Sequence, residues 1–491
     1  MENNALLVVP LVITGLAPVF IWLLRKNINM REGASLVGGL LTFLLMLSFV
    51  PGVLAGKVYV YTLFTILPGI TVKLCVDGLT LCFGLISTFL WMFATSYNIG
   101  YMRSLNEHAQ TRYYVCFAIA IFGAVGVAMS GNVFTLYLFY EVITVCTYPL
   151  VAHHQDEEAW EGSRKYIVYL MGTSKLFLLP AMVLTYVLCG TLDFNLTDVA
   201  HGIFPATADP TLVTITYVLY ICGLAKAAIM PFHNWLPSAM VAPTPVSALL
   251  HAVAVVKAGV FSVSRVILSG FGLETMAKLG LGLPTAYVAA FTIVVASIIA
   301  LTKTDLKARL AYSTVSQLSY IVLGVSLLDP SGVIGGVIHI PHHAFSKITL
   351  FFAAGAIFVA TQLRDIDKMK GLGRKMPWTF GAFGLASLSM IGVPPVCGFV
   401  TKWSLINGAV NQSQILLLVA LLASTALNAG YFVPIVYRGF FSRPAPDIAL
   451  DDYKEAPMSM VVPLFLTAVI SVLLGVYPDF FTGIIKAFTH F

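Results

Sequence analysis

The sequence predicts an all-α, polytopic membrane protein with about fourteen transmembrane helices. Of its 491 residues, 58% are hydrophobic and only 10% are charged, whereas soluble domains carry about 25% charged residues. The apolar runs are roughly 18 to 25 residues long, which matches a membrane-spanning helix and exceeds the length of a barrel strand. The lipid bilayer is therefore the expected environment of the chain.

The predicted helices extend along the whole chain. Their approximate ranges are 5–24, 33–51, 78–99, 113–130, 132–152, 165–189, 211–230, 244–268, 284–302, 308–328, 331–361, 377–410, 413–437 and 457–484. The first run lacks a basic region before it and a cleavage site after it, which indicates a retained helix rather than a signal peptide. The eleventh and twelfth ranges exceed one span, so we expect tilt or a break there. Alternation of apolar and polar residues over 57–74 predicts a short extracellular hairpin.

The charges of the loops predict the orientation. With the N-terminus outside, eighteen lysines and arginines fall in cytoplasmic loops and four fall in outer loops. Cytoplasmic loops of membrane proteins carry the excess of positive charge. We therefore expect a multi-pass protein of the cell inner membrane with both termini on the outer side.

Six basic residues fall inside the predicted helices, although a lysine at the centre of a membrane helix costs about 2.5 to 3.5 kcal/mol. They are Lys175, Lys226, Lys257, Arg265, Lys347 and Lys402. Arg265 lies near a helix end, from which its long side chain is expected to reach the interface. Glu141 is the only acid placed deep in a predicted helix. One acid cannot neutralise five lysines, which favours a functional interpretation of the charges.

Glu141 and Lys226 are the predicted central pair. Burial weakens the hold of an ammonium group on its proton, and a nearby carboxylate strengthens it, so such a pair can take up and release a proton. The alternative is a static buried salt bridge that fixes helix packing. Pro231 interrupts the helix five residues after Lys226, and broken backbone persists at membrane depth only where protein or a watery cavity satisfies it. Together these features predict an ion path, with a kinked helix and a snorkelling lysine as the alternative.

Histidines extend this predicted path. His339, His343 and Lys347 follow one another at intervals of four residues, which places them on one helix face. His251 and Lys257 lie on the eighth predicted helix. Imidazole groups titrate near pH 6.5 and are suited to relay protons, while packed or interfacial histidines are the alternative. No metal site is expected, because neither carboxylates nor cysteines accompany these histidines.

Two helix breaks and two lysine segments recur along the chain. Pro394 and Pro395 interrupt the twelfth helix before Lys402, much as Pro231 interrupts the seventh after Lys226. The segment GTSKLFLL in the sixth helix is similar to AFSKITLFF in the eleventh. The separation of Lys175 from Lys347 differs by only a few residues from that of Lys226 from Lys402. Two five-helix units, helices 4–8 and 9–13, would place these features at matching positions. Because five is odd, the second unit must be inverted, which is typical of transporters.

These units predict four regions. Residues 1–112 hold the first three helices and the hairpin, 113–268 the first repeat, 284–437 the second repeat, and 438–491 a loop and the last helix. The chain shows no nucleotide-binding loop and no flavin or iron–sulfur motif. We therefore expect no cofactor and no nucleic-acid partner.

The motifs resemble those of a known family. They are VDGLTL, LFYEV around Glu141, AKAAIMPFHNWLPSAM with APTPVSALLH, VVKAGV, TDLKARLAYSTVSQLSY, HHAFSKITLFFAAG and GVPPVCGFVTKW. The chain resembles the antiporter-like subunits of respiratory complex I, of Mrp-type cation/proton antiporters and of membrane-bound hydrogenases, and its length is similar to that of the Mrp D subunit. The resemblance covers most of residues 77–403.

The resemblance implies a role for several residues. Glu141 and Lys226 match the modulating pair, and Lys257 matches the lysine that connects two half-channels. The exit is gated by the residues that match His343, Lys347 and Lys402. Some members carry glutamate at the position of Lys402, so the lysine argues against that subtype.

The resemblance also implies a function and partners. The expected function is proton translocation within a complex I-related or hydrogenase-type redox-driven complex, in which partner subunits carry the electrons and other membrane subunits are neighbours. One alternative is a D-type subunit of an Mrp Na⁺/H⁺ antiporter without redox partners, which would also move Na⁺. The other is a structural membrane scaffold. Whether the complex is an oxidoreductase or an antiporter stays open at the level of the sequence.

Overall fold

The protein is mostly helical over residues 1–443 and 453–491, which the computed structural model describes. Within these two ranges, eleven helical segments are long and apolar enough to cross a membrane. The predicted all-α polytopic fold is therefore confirmed. The count of about fourteen spans, the inverted repeats, the four regions and the orientation of the termini stay predictions.

The first part of the chain combines long helices with a small sheet. Its helices are α1 (Val8–Leu23), α2 (Ile28–Ser48), α3 (Val50–Leu54), α4 (Gly78–Ser104) and α5 (Gln110–Ala128). The strands are β1 (Glu2–Asn3), β2 (Tyr59–Leu67) and β3 (Ile70–Val76). Strands β2 and β3 pair antiparallel, which confirms a hairpin in the predicted region, and β1 adds in parallel to β2. The hairpin turn contains Gly69 at φ +77, a conformation that glycine adopts without steric cost.

The middle of the chain contains several short or interrupted helices. They are α6 (Val133–Val151), α7 (Glu157–Thr173), α8 (Leu179–Cys189), α9 (Pro210–Gly223), α10 (Trp235–Ser238), α11 (Thr244–Ala248), α12 (Val255–Arg265) and α13 (Leu273–Lys278). Turns of π-helix join α7 to α8 (Ser174–Leu178), join α11 to α12 (Leu249–Val253) and follow α12 (Val266–Phe271). Every residue of the combined segment Thr244–Phe271 is buried. This segment forms the centre of the bundle, against α4, α5, α15 and α16.

The last part of the chain is again built from long helices. They are α14 (Gly282–Thr302), α15 (Leu306–Ser326), α16 (Pro330–Thr361), α17 (Pro377–Ile391), α18 (Cys397–Asn411), α19 (Ile415–Phe441), α20 (Met458–Val476) and α21 (Asp479–Thr489). Helix α16 is unbroken, so the length of the eleventh predicted helix is not explained by a break.

Both predicted helix breaks are present. Helix α9 ends at Gly223, and a 3₁₀ turn, Ala225–Ala227, follows before Pro231. Helix α17 ends before α18 begins, and the intervening residues include Pro394 and Pro395. The second break coincides with two prolines, whose missing N–H group and clash with the preceding turn end a helix. The first break begins at Gly223, ahead of Pro231, so Lys226 lies in the break rather than in the helix before it.

Helix α2 begins earlier than predicted, at Ile28, because the Asn27 side chain accepts a hydrogen bond from the N–H of Met30. An N-cap of this kind satisfies one of the free N–H groups at a helix start. Arg31 and Glu32 therefore lie near the start of the helix and are buried. Their charged groups are 3.3 Å apart, so Glu141 is not the only buried acid.

The expectation that Arg265 reaches the interface is wrong. Its guanidinium is fully buried and binds Asp77, with Nη2–Oδ1 at 2.8 Å and Nη1–Oδ2 at 2.5 Å. Asp77 also caps α4, because its Oδ1 accepts a hydrogen bond from the N–H of Thr80. A bidentate arginine–carboxylate pair satisfies both charges inside the protein, so the side chain has no need to extend outward.

Candidate functional site

Lys226 is fully buried in the 3₁₀ turn at the first helix break. Its Nζ donates to the backbone oxygen of Tyr140 at 2.8 Å and to Oγ1 of Thr144 at 2.7 Å. The ammonium also lies 3.1 Å from the centre of the Tyr140 ring, which is a cation–π contact. The ammonium of Lys226 is thus held by neutral oxygens and an aromatic face of α6.

Glu141 makes no salt bridge to Lys226 and instead binds Lys175, and its functional pairing with Lys226 stays a prediction. The Lys175 Nζ lies 3.2 Å from Glu141 Oε2 and 2.5 Å from Tyr137 Oη. The side chain of Lys175 is 47% exposed, whereas that of Glu141 is 14% exposed. The reason is geometric: Tyr140 of α6 faces the break, while Glu141, one residue further, points toward the π-helical turn that carries Lys175.

A line of basic groups joins α12 to α15 through α16. Lys257 Nζ lies 2.8 Å from Nδ1 of His343, and His339 Nε2 lies 3.0 Å from Oε1 of Gln317. The rings of His339 and His343 have centroids 5.7 Å apart. All four side chains are buried. The predicted shared face of His339 and His343 therefore exists, and it connects the central helix to α15.

Lys347 occupies the next position on the same face of α16. Its Nζ donates to Oγ of Ser313 at 2.9 Å, and this oxygen lies 3.1 Å from Oη of Tyr431. Tyr431 in turn bonds to the amide of Asn428. A chain of neutral hydrogen-bonding groups thus leads from Lys347 to α19.

Lys402 lies at the second helix break and binds the backbone there. Its Nζ donates to the backbone oxygen of Ile391 at 2.8 Å and to Oγ1 of Thr425 at 3.1 Å. Ile391 is the last residue of α17, so the ammonium satisfies a carbonyl that has no partner within the helix. Gly392, at φ +88, leaves room for this contact, because a Cβ there would lie 2.6 Å from Cδ of Lys402.

His251 is buried in the π-helical turn before α12, with its ring against Phe351 at a centroid distance of 4.7 Å. Neither ring nitrogen has a hydrogen-bond partner in the protein, and the same holds for Nε2 of His343, Nδ1 of His339 and Oε1 of Glu141. Buried polar atoms nearly always bind a protein group or ordered water. These atoms are therefore available to bind water or a proton along the line.

Gly259 brings the central helix against the Lys226 turn. A Cβ at this position would lie 2.2 Å from the backbone N of Ala227, so only glycine permits the observed approach. We expect Gly259→Ala to destabilise the protein by about 1–3 kcal/mol, the usual cost of overpacking, and to displace Lys226. Thermal unfolding in detergent measures the change. Gly172→Ala is the matched control, because a Cβ on this helical glycine meets nothing within 4 Å; equal behaviour of the two variants would contradict the role of Gly259.

A cavity of about 240 Å³ opens at one end of the bundle. Its lining includes Glu107, His154, Thr244, Lys307 and Arg364. The pKa of the His154 imidazole is lowered because the ring is partly buried, although the Glu107 carboxylate acts in the opposite direction. Since Thr244 begins the central helical segment, this cavity leads from the end of the bundle to the segment that carries the buried bases.

The sequence predicted the charged members of the site but missed their neutral partners. The missed residues are Tyr137, Tyr140, Thr144, Ser313, Gln317, Thr425, Asn428 and Tyr431. Gln317 had a usable signal, because polar residues within membrane helices are often functional. Tyrosine, serine and threonine are common in such helices and gave no signal.

Comparison with known proteins places the chain in a family. Residues 130–428 match the family profile described as "NADH:quinone oxidoreductase/Mrp antiporter, TM". The chain belongs to this family. Among its relatives, NADH-quinone oxidoreductase subunit N of Desulforudis audaxviator (strain MP104C) is 31% identical over 431 residues, which cover 83% of this chain and 82% of the relative. The Na⁺/H⁺ antiporter subunit A1 of Staphylococcus haemolyticus (strain JCSC1435) is 29% identical over 90% of this chain and 57% of its own length.

Two solved structures show the same fold. A chain of the membrane-bound sulfane sulfur reductase, an archaeal respiratory membrane complex, superposes with a TM-score of 0.85 at 26% identity, covering 98% of this chain and 96% of that chain. A chain of the Mrp complex from Dietzia sp. DQ12-45-1b superposes with a TM-score of 0.81 over 99% of this chain and 97% of that chain. At 22% identity, the second likeness supports the fold alone. Relatives in this family are thus subunits of multisubunit membrane complexes.

Proposed function

We propose that the chain is a proton-translocating, antiporter-like membrane subunit of a redox-driven complex. The observation that carries the proposal is the buried line Lys257–His343–His339–Gln317 inside helices that are apolar enough to span a membrane. Buried lysines and histidines are costly in such a place and mark ion pathways by default. Kinship with an NADH-quinone oxidoreductase subunit and with a respiratory membrane complex supports the redox partner.

The proposed path has two parts that meet at Lys257. Lys226, with Glu141 and Lys175 beside it, forms the first part at the α9 break. Lys402 lies at the second break, and Lys347 with its hydrogen-bonded partners lies beside it. Gly259 brings the helix of Lys257 against the Lys226 turn, while His343 joins Lys257 to α16. Protons would pass between these groups through hydrogen bonds and intervening water.

The Glu141–Lys175 pair supports a neighbouring membrane subunit as a partner. Lys175 is half exposed on the surface of the helix bundle. Nearby exposed residues of the same helical segment are apolar: Val168, Leu176 and Val187 are 62%, 69% and 71% exposed. A charged side chain on a lipid-facing surface is costly, and intramembrane charges almost always face protein or a water-filled cavity. A polar surface of another subunit would cover this pair in the assembled complex.

We expect Lys257→Met to lower proton transport by about 100-fold or more, the lower end of the range for removing a proton-transfer group. Methionine keeps the length of the side chain but cannot carry a proton. The assembled complex is reconstituted in liposomes with an internal pH dye and powered by NADH and a quinone. Lys57→Met is the control, because Lys57 pairs with Glu2 in an exposed position. Wild-type transport by Lys257→Met would refute the proposed function.

A Na⁺/H⁺ antiporter without redox partners is the second candidate, supported by the likeness to the Na⁺/H⁺ antiporter subunit A1. The same liposomes distinguish the two. Proton movement driven by an imposed sodium gradient, without any electron donor, favours the antiporter. Movement that requires NADH and a quinone favours the redox-driven complex.

A further inference from the structure

Glu107, His108 and His153 form a compact cluster at the end of the bundle that holds the cavity. Glu107 and His108 lie between α4 and α5, and His153 lies just after α6. One ligating atom from each residue lies within 4.8 Å of those of the other two. Among the described residues, no other group of histidine, cysteine and acidic side chains comes this close together. The cluster has no part in the buried line of lysines.

The unusual member of the cluster is His153. Its side chain is fully buried, yet neither Nδ1 nor Nε2 has a hydrogen-bond partner in the protein. Nε2 points toward Oε2 of Glu107 at 3.6 Å, which is too long for a hydrogen bond. Buried polar atoms without a partner are rare, and this one faces a carboxylate across a gap that an ion can bridge.

The other two residues complete an open coordination set. His108 Nδ1 lies 4.0 Å from Glu107 Oε2, and the His108 and His153 rings have centroids 4.6 Å apart. The side chain of His108 is 49% exposed, whereas that of Glu107 is 12% exposed. An ion can therefore enter from the solvent beside His108, and the buried His153 lies on the inner side of the site.

The backbone around the cluster is fixed. Arg112 donates to the backbone oxygen of His153 at 3.2 Å, which ties the start of α5 to the end of α6. Gln110 donates to the backbone oxygens of Met102 and Glu107 at 3.3 and 3.2 Å. The two loops are thus held beside each other before any ion binds, which lowers the entropic cost of binding.

We propose that Glu107, His108 and His153 form a binding site for Zn²⁺. Imidazole nitrogens and one carboxylate suit zinc, whereas Ca²⁺ and Mg²⁺ prefer oxygen ligands throughout. Bonds of about 2.0 to 2.2 Å to three protein ligands leave the fourth tetrahedral position to water. The exposed His108 ring and the Glu107 carboxylate need to move only slightly to close the observed gaps. This site differs from the sequence-based expectation of no metal, which considered the histidines of the membrane helices.

Zinc binding by the purified complex in detergent tests the proposal directly and without a transport assay. The metal-free complex is titrated with ZnCl₂, and bound zinc is counted by mass spectrometry after equilibrium dialysis. We expect Glu107→Gln and His108→Gln each to weaken one site by about tenfold or more, since even the outer partners of metal ligands are worth about 10- to 100-fold in affinity. X-ray absorption of the bound zinc should show nitrogen and oxygen ligands without sulfur.

His201→Gln is the matched control. His201 also lies near two acids, with Nδ1 at 2.6 Å from Asp198 and Nε2 at 3.4 Å from Glu274, but its side chain is 63% exposed. We expect zinc binding to be unchanged in this variant. Equal binding by the wild type, Glu107→Gln and His108→Gln would overturn it, as would loss of the site in His201→Gln instead. His153→Gln is informative only if it folds, and the two other variants keep the test decisive without it.

Discussion

Lys226→Ala is expected to lower proton transport by about 100-fold or more, while the complex still assembles. The ammonium of Lys226 sits at the first helix break, where its contacts are the neutral oxygens of Tyr140 and Thr144. Because no carboxylate binds it directly, the group can release a proton without leaving a partner charge uncompensated at its side. Alanine removes the carrier, and the path from the break to the central helix is interrupted.

Two further variants separate proton transfer from a mere need for positive charge. Lys226→Met keeps the volume of the side chain and should be as inactive as alanine. Lys226→Arg keeps the charge, but a guanidinium does not lose its proton in proteins, so this variant should also fail. Proton uptake into liposomes is the measurement, and subunit composition after purification reports assembly. Wild-type transport by all three variants would favour the structural scaffold instead.

Asp77→Ala is expected to destabilise the protein by about 3–5 kcal/mol, because removing one partner of a buried ion pair leaves an uncompensated charge. Both side chains are essentially without solvent contact. The same substitution removes the cap of α4, which adds about 1 kcal/mol. Thermal unfolding of the assembled complex in detergent measures the effect.

Asp77→Asn divides this effect into its parts. Asparagine retains an oxygen that can cap α4. The loss of stability that remains in this variant therefore reports the missing negative charge opposite Arg265. The double variant Asp77→Asn/Arg265→Met should recover much of the stability, since replacing a whole buried pair with uncharged groups is often close to neutral. Lys57→Ala, which breaks an exposed pair, should leave the unfolding temperature unchanged. A similar change in Lys57→Ala and Asp77→Ala would contradict the special role of the buried pair.

Much of the fold could be predicted because lipid imposes a simple rule on the sequence. Membrane-spanning helices must be apolar and long. The second break coincides with prolines, while the first begins ahead of Pro231. The starts of helices were harder to predict, because polar residues near a helix start, such as Arg31 and Glu32, have the composition of a loop. The structure shows that an N-cap, rather than the first apolar residue, sets the beginning of α2.

The site was predictable as far as it depends on one helix. The spacing of His339, His343 and Lys347 places them on one face whatever surrounds the helix. Contacts between helices depend on rotation and distance, which no local pattern records; Asp77 and Arg265 are 188 residues apart. The backbone oxygens that bind Lys226 and Lys402 leave no trace in the sequence, because every residue type supplies one.

The half-exposed Lys175 beside Glu141 also bears on the biogenesis of the complex. Until a neighbour covers this pair, a newly inserted chain holds a charge on its lipid-facing flank and has a higher free energy than the assembled subunit. In the proposed assembly, synthesis of the chain in excess of its neighbours would leave copies with this flank uncovered. The Glu141–Lys175 pair would thus have two roles: it would contact the neighbouring subunit after assembly, and its exposure would let quality control recognise a chain that has not assembled.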